Sequence, residues 1–159
     1  LPFGNGAERM LGNRYTGAEA IGLDLNRHDR FHLLRAAQEG IAFAFRYGMD
    51  VMRETGLRLR VIRAGYANLF LSPVFRQTLA TLCGADIELY NTDGALGAAR
   101  GAALGAGLYA SREETFASLR KIDEVRPDPA DRDVLERGYA RWKAELENRL
   151  GRASHGTSV

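Results

Sequence analysis

A tripeptide near the middle of the chain, Arg63-Ala64-Gly65, has the composition and placement of a ligand-binding turn. It follows a strand-like run from Leu57 to Ile62, and a helix capped by Ser72 comes after it. Such a layout brings main-chain groups to the carboxyl end of a strand, where α/β proteins commonly bind phosphates and nucleotides. Gly65 would let a ligand approach the backbone because it has no Cβ atom. The same glycine could also serve only as a turn residue.

A second glycine-rich segment, from Gly94 to Gly107, predicts a helix capped by Asn91, Thr92 or Asp93. Its glycines at positions 97, 101 and 105 recur every four residues and share one helix face. Two interpretations remain open: the helix packs very closely against a sheet or another helix, or its amino end faces a nucleotide. The chain has no Gly-x-x-x-x-Gly-Lys-Ser/Thr motif, which excludes the P-loop class.

Other residue types that could support chemistry give weaker patterns. His28 and His32 have a spacing that a metal could use, but no third ligand of suitable type stands nearby. The carboxylates in the least charge-rich surroundings are Asp24, Glu39 and Asp93, and none has an identifiable base or nucleophile partner. We therefore predict neither a metal site nor a catalytic residue in this chain.

Composition sets the broad class of protein. The chain has 159 residues, which suffices for one domain, and its 22 basic and 20 acidic residues leave a net charge of +2. This balance does not favour nucleic-acid binding. With a single cysteine, Cys83, and neither a signal peptide nor a membrane span expected, we predict a cytoplasmic protein. The glycine-rich start without methionine indicates a fragment of a longer protein.

Periodicity and capping signals predict an α/β order of elements. Residues 1–27 are expected to be loop, with a short strand or turn around 20–25, and Asn26 is the expected cap of the first helix. Two strands rarely form a stable sheet, so further strands must come from the first 25 residues or from upstream sequence. The predicted elements are helix 28–54, strand 57–62, helix 73–83, strand 86–90, a helix ending near 109, helix 111–121, an extended connector 126–129, and helix 131–150.

Several linked motifs carry a family resemblance. They are Ile21–Leu23, the helical segment His32–Phe43, the turn Ala64–Gly65, the helix centre Phe75–Gln77, and Gly94–Ala99. In this order and spacing, from about Gly4 to Leu150, they resemble the carboxyl-terminal domain of the FGGY carbohydrate kinases, most closely the xylulose kinase branch.

The resemblance implies a fold and a set of ligands. It implies the carboxyl-terminal half of a ribonuclease H-like (actin-like ATPase) fold, incomplete at its amino end, with a domain over 1–150 and a disordered tail over 151–159. It also implies ATP and Mg²⁺ bound with a sugar in a cleft between two domains. The adenosine-binding turn falls on Ala64, Gly65 and Asn68, although Ala64 stands where the commoner family pattern has glycine. The loop from Tyr66 to Leu71 could form one wall of an adenine pocket.

By resemblance, the expected activity is transfer of the ATP γ-phosphate to a ketopentose, D-xylulose giving xylulose 5-phosphate. The family's catalytic aspartate belongs to an upstream segment, so the amino-terminal domain of the same protein is an expected partner and this piece alone should be inactive. One alternative is a non-enzymatic ATP-dependent regulatory module of the same superfamily. Another is a dimerising domain whose glycine face meets a partner.

Overall fold

Three strands form the main sheet of the described part of the chain, in the order β3–β4–β5. The computed structural model describes residues 1–6 and 8–155. A smaller antiparallel pair, β1–β2, precedes the sheet, and short 3₁₀ turns span Arg9–Leu11 and Asn68–Leu71. The elements are β1 Pro2–Phe3, β2 Gly17–Ala18, α1 Arg30–Glu54, β3 Val61–Gly65, α2 Pro73–Cys83, β4 Asp86–Tyr90, α3 Gly94–Gly105, α4 Arg112–Phe116, β5 Lys121–Val125 and α5 Arg132–His155.

The central strand β4 alternates as a half-buried strand should. Ile87 and Leu89 are fully buried, whereas the residues between and beside them are partly exposed. β3 runs parallel to β4, with Val61 opposite Asp86 and Gly65 opposite Tyr90. This register brings the carboxyl ends of both strands, and the turns that follow them, to the same edge of the sheet.

The third strand, β5, was missed by the sequence analysis. Its sequence, from Lys121 to Val125, is mostly charged, and it pairs antiparallel with β4. The predicted helix 111–121 is wrong beyond Phe116, where α4 ends. Because β5 is an edge strand with three exposed residues, its side chains carry little of the apolar signal from which strands are predicted.

The capping signals around α2 are confirmed. The hydroxyl of Ser72 accepts a hydrogen bond from the N–H of Phe75, Pro73 opens the helix, and Gly84 ends it at φ 60°. For α1 the predicted cap is wrong: Asp29, not Asn26, accepts bonds from the N–H groups of the first turn. The N–H of Asn26 instead bonds the side chain of Asp24 in the preceding loop.

Predictions for the two ends of the chain also need correction. Of the strand or turn predicted around 20–25, there is no strand, and a turn begins at Leu25. The amino-terminal strands β1 and β2 form their own pair without joining the main sheet. α5 continues through 151–155, which the sequence analysis had assigned to a disordered tail, and 156–159 lie outside the described residues. None of the helices in the described ranges is both long and apolar enough to span a bilayer.

Helices α1, α2 and α5 pack around a shared apolar core. α2 contributes Phe75, Leu79 and Leu82, all almost fully buried. Trp142 of α5 lies against Phe43 of α1, with ring centroids 6.1 Å apart. Cys83 at the end of α2 is buried, and burial raises the pKa of its thiol to about 11, so it behaves as a small apolar residue.

A charged cluster fastens the same three helices together at the carboxyl end of α2. The carboxylate of Asp50 accepts hydrogen bonds from Arg46, Arg53 and the hydroxyl of Tyr139, at 2.8–2.9 Å. The two arginines also donate to the carbonyls of Leu82 and Cys83, the last of α2. Burial alone would raise the pKa of Asp50, but its hydrogen bonds outweigh burial and lower the pKa.

We expect Asp50→Asn to lower the free energy of unfolding by about 1–3 kcal/mol near neutral pH. Because the folded-state pKa of Asp50 lies below its unfolded value of about 3.9, its contribution is complete above that value and lost as pH falls through the folded pKa. The variant should therefore lose less stability than the parent below about pH 4. Thermal melts followed by circular dichroism from neutral pH into this acidic range measure the difference.

The matched control is Glu145→Gln, which removes an exposed carboxylate from α5. Its melting curve should follow the parent at every pH. Parallel pH profiles for Asp50→Asn and the parent would contradict the role assigned to Asp50.

Candidate functional site

The predicted site residues lie where β3 ends and the chain turns toward α2. Ala64 and Gly65 are the last two residues of β3, and Asn68 begins the 3₁₀ turn Asn68–Leu71. The turn after β4, at Asn91–Asp93, lies directly beside them. The carbonyl of Tyr90 joins the two turns, because it accepts hydrogen bonds from the N–H groups of both Tyr66 and Thr92, at 2.8 and 2.7 Å.

Gly65 is needed for the close approach of these two turns. A Cβ atom built on Gly65 would overlap the carbonyl oxygen of Thr92 and lie 3.0 Å from its carbonyl carbon. The space that the sequence analysis left for a ligand on that side is therefore filled by the backbone of Thr92. The packing of the two turns therefore explains why glycine occupies position 65. A ligand contact to its main chain stays a prediction.

Asn68 is the predicted residue whose side chain is best placed to meet a ligand. It is exposed and has φ 52°, in the left-handed region that asparagine tolerates better than most residues. Its side-chain amide makes no hydrogen bond within the described residues, so both its donor and its acceptor are available. Ala64, in contrast, is half-buried and packs against the apolar core.

The loop from Tyr66 to Leu71, predicted as one wall of an adenine pocket, has some side chains packed on the core and others exposed to solvent. Leu69 and Phe70 turn inward, and the ring of Phe70 meets that of Phe75 edge-on with centroids 5.4 Å apart. Tyr66 and Leu71 face outward, with 42% and 51% exposure. The outward pair, together with the exposed Asn68, is the part of this loop that is open to a ligand.

One interpretation of the glycine face of α3 was that it packs closely against a sheet or another helix. No atom lies within 4 Å of a Cβ built on Gly97, Gly101 or Gly105, and all three residues are exposed. The close-packing interpretation is therefore wrong for the described part of the chain. At the amino end of α3, Asp93 acts as the cap, accepting a hydrogen bond from the N–H of Leu96 at 2.8 Å.

Arg100, the one charged residue of α3, was not predicted from the sequence as part of the site. It is only 8% exposed, and its guanidinium reaches back to the turn after β4. The available signal was an isolated arginine among glycines and alanines, a pattern that is equally consistent with a solvent-facing side chain.

Within the described ranges, no three histidine, cysteine or acidic side chains form a group that could hold a metal ion. The ring of His28 accepts a hydrogen bond from the N–H of Asp24, and that of His32 bonds to Asp29, so both act locally around the start of α1. Two clefts, of about 400 and 580 Å³, lie between α1, α2 and α5 and beside residues 53–60 respectively. Neither is lined by Ala64, Gly65 or Asn68.

Comparison with known proteins identifies the family to which this chain belongs. The sequence model of the FGGY family of carbohydrate kinases, C-terminal domain, matches residues 8–110, more than half of the chain. The chain is 31% identical over 156 residues to the xylulose kinase of Haemophilus influenzae, covering 92% of this chain and 30% of that protein. It is 36% identical over 124 residues to glycerol kinase 2 of Pseudomonas aeruginosa, covering 76% of this chain and 24% of that protein.

A solved structure agrees with these similarities. The xylulose kinase of Rhodospirillum rubrum superposes with a TM-score of 0.71 at 27% identity, covering 89% of this chain and 29% of that one. The chain thus spans about a third of the length of its relatives. The predicted family and fold class are confirmed: the chain belongs to the FGGY family of carbohydrate kinases and has the actin-like ATPase fold of their carboxyl-terminal domain.

Proposed function

We propose that this chain is the nucleotide-binding carboxyl-terminal part of a sugar kinase that transfers the ATP γ-phosphate to D-xylulose. FGGY carbohydrate kinases are ATP-dependent phosphotransferases, and this chain belongs to that family. The observation that carries the nucleotide-binding part is the turn after β3, where Asn68 presents an unbonded amide at the carboxyl end of a strand.

The choice of sugar rests on similarity alone. Xylulose kinases occur among both the curated relatives and the solved structures that resemble the chain. Glycerol kinase 2 of Pseudomonas aeruginosa is 36% identical over a shorter stretch, so glycerol is a competing acceptor. D-xylulose is favoured because the match to the xylulose kinase of Haemophilus influenzae covers 92% of this chain, against 76% for glycerol kinase 2.

In the proposed complex, the residues of this chain bind and orient the nucleotide. The main chain of Ala64 and Gly65 would lie along the ribose or phosphates, and the side-chain amide of Asn68 would bond to the adenosine. No acidic cluster of the described residues could hold a metal by itself, which fits an Mg²⁺ ion that enters with the nucleotide. That ion would neutralise charge on the β- and γ-phosphates when bound.

Phosphoryl transfer needs groups that this proposal assigns to the rest of the protein. The sugar hydroxyl oxygen forms a bond to the γ-phosphorus, the bond to the bridging oxygen of ADP breaks, and a base takes the hydroxyl proton. We assign that base and the sugar contacts to the amino-terminal domain of the same polypeptide, so this chain alone should be inactive. Catalysis then depends on bringing the two parts together in register.

Two surface features support an additional piece of the same polypeptide as the partner. The outer edge of β3 has no neighbouring strand within the described residues, and such an edge readily accepts another strand. Large apolar side chains are also exposed close together in sequence before and within the first turns of α1. They are Ile21, Leu23, Leu25, Phe31, Leu33 and Leu34.

The two alternative functions, a regulatory module and a dimerising domain, predict different behaviour toward ATP. A non-enzymatic regulatory module would bind ATP at the same turn without sugar-dependent turnover. A homodimer through the exposed glycine face of α3 would not require nucleotide. We also propose a cytoplasmic location, which agrees with the single cysteine of this chain, Cys83.

We expect Asn68→Ala to weaken ATP binding by the full-length protein roughly fivefold to tenfold, since one hydrogen bond to the adenosine is lost. Isothermal titration calorimetry measures this change. Asn13→Ala is the matched control, because Asn13 is also an exposed asparagine at positive φ, 58°. Unchanged affinity in Asn68→Ala, or an equal loss in Asn13→Ala, would remove Asn68 from the site.

Gly65→Ala should destabilise the protein even without nucleotide, by about 2–4 kcal/mol, because the new Cβ overlaps the carbonyl of Thr92. Gly97→Ala is the control: it lies within a helix, its Cβ would meet no atom within 4 Å, and alanine should stabilise it by about 0.5–1 kcal/mol. Melting temperatures of nucleotide-free protein distinguish the two. A Gly65→Ala variant as stable as the parent would show that the turns can separate at little cost.

Sugar-dependent ADP release by the full-length protein tests the reaction. We expect the highest kcat/KM for D-xylulose in a panel that also contains L-xylulose, glycerol and gluconate. Preference for another member of the panel would correct the substrate and keep the kinase. ATP binding without release of ADP on any sugar would favour the regulatory module.

A further inference from the structure

Arg100 is a buried cation whose partners are all neutral. It is only 8% exposed, and its Nη1 and Nη2 groups each donate a hydrogen bond at 3.0 Å, to Thr92 Oγ1 and Ser118 Oγ respectively. Within the described residues it has no carboxylate within ion-pair distance. Burying a charge against two neutral hydroxyls is costly, and the two hydrogen bonds of Arg100 offset part of that cost.

The first hydrogen bond of Arg100 goes to Thr92, the residue that lies against Gly65 in the proposed nucleotide-binding turn. Thr92 places its carbonyl in the space beside Gly65, and its N–H shares the carbonyl of Tyr90 with the N–H of Tyr66. The position of Thr92 therefore determines how the chain leaves β3. Arg100 donates a hydrogen bond to the hydroxyl of the same residue, Thr92.

The second hydrogen bond of Arg100 goes to Ser118, in a segment that other hydrogen bonds also hold in place. Ser118 lies before β5, and its carbonyl accepts a hydrogen bond from the side chain of Asn91 at 3.0 Å. Asn91 also exchanges bonds with Arg120, through its main-chain N–H at 3.1 Å and its side-chain oxygen at 2.6 Å. Since Asn91 joins β4 to the start of β5 independently, loss of Arg100 should release Thr92 without detaching β5.

We infer that Arg100 is a positioning residue for the nucleotide, acting through Thr92 on the turn formed by Gly65, Tyr66 and Asn68. It does not touch ATP itself. The inference rests on the nucleotide site proposed above. Arg100 keeps the turn after β4 pressed against the turn after β3, so that Asn68 is presented in a single orientation.

The test compares four variants of the full-length protein. Arg100→Met keeps the length of the stem and removes the donors, Arg100→Lys keeps the charge but loses the two-armed fork, and Thr92→Val removes the hydroxyl at constant shape. Ser118→Ala is the matched control, because it deletes the second hydrogen bond and leaves the bond to Thr92.

We expect Arg100→Met and Thr92→Val to raise the KM for ATP roughly tenfold, with kcat and the KM for sugar changed by less than about twofold. Arg100→Lys should recover part of the affinity, and Ser118→Ala should match the parent. An equal rise in both KM values, or a fall in kcat alone, would overturn the inference. So would an unchanged KM for ATP in Thr92→Val, which also decides the question if Arg100→Met fails to fold.

Hydrogen exchange of the nucleotide-free protein separates this inference from the proposed function. The amides of Tyr66 and Ala67 donate within the turn, to Tyr90 and Gly65. They should exchange faster in Arg100→Met and Thr92→Val but not in Ser118→Ala. Unaltered exchange would refute positioning by Arg100, whereas a parent protein that binds no ATP would refute only the nucleotide site.

Discussion

The contact between Gly65 and the carbonyl of Thr92 is the constraint on which the proposed site depends. Two parallel strands end side by side, and the chain must turn away from each of them within one or two residues. There is room for both turns only because one of them carries a hydrogen atom in place of a Cβ. The shared carbonyl of Tyr90 then joins the turns through hydrogen bonds, so neither can move without the other.

Behind this edge, the helices provide a scaffold that resists such movement. α2 begins where the 3₁₀ turn from Asn68 ends, and its buried face is fixed by the core shared with α1 and α5. At its far end, Arg46 and Arg53 satisfy the last carbonyls of α2, and Asp50 joins both arginines to Tyr139. A turn mounted on a helix fixed at both ends loses less conformational freedom when a ligand binds, which is how preorganisation improves affinity.

The proposed nucleotide site would form only one part of a phosphoryl-transfer site. In that proposal the described residues would offer backbone and amide groups to a nucleotide, and these residues contain no acidic cluster that could hold a metal ion by itself. Kinase chemistry relies on positioning and on charge stabilisation around the γ-phosphate, and these tasks can be divided between two domains. The open edge of β3 and the exposed apolar residues before α1 are features that a second domain would cover.

The sequence by itself determined the elements whose signals are local. Ser72, Pro73 and Gly84 fixed α2, the alternation around Ile87 and Leu89 fixed β4, and the order of linked motifs identified the family. Only the tertiary structure decided that β5 joins the sheet, that the glycine face of α3 is open, and that Gly65 accommodates Thr92. The reason is physical: each of these depends on a neighbour distant in sequence, and neither a charged edge strand nor a lone glycine specifies that neighbour through its own composition.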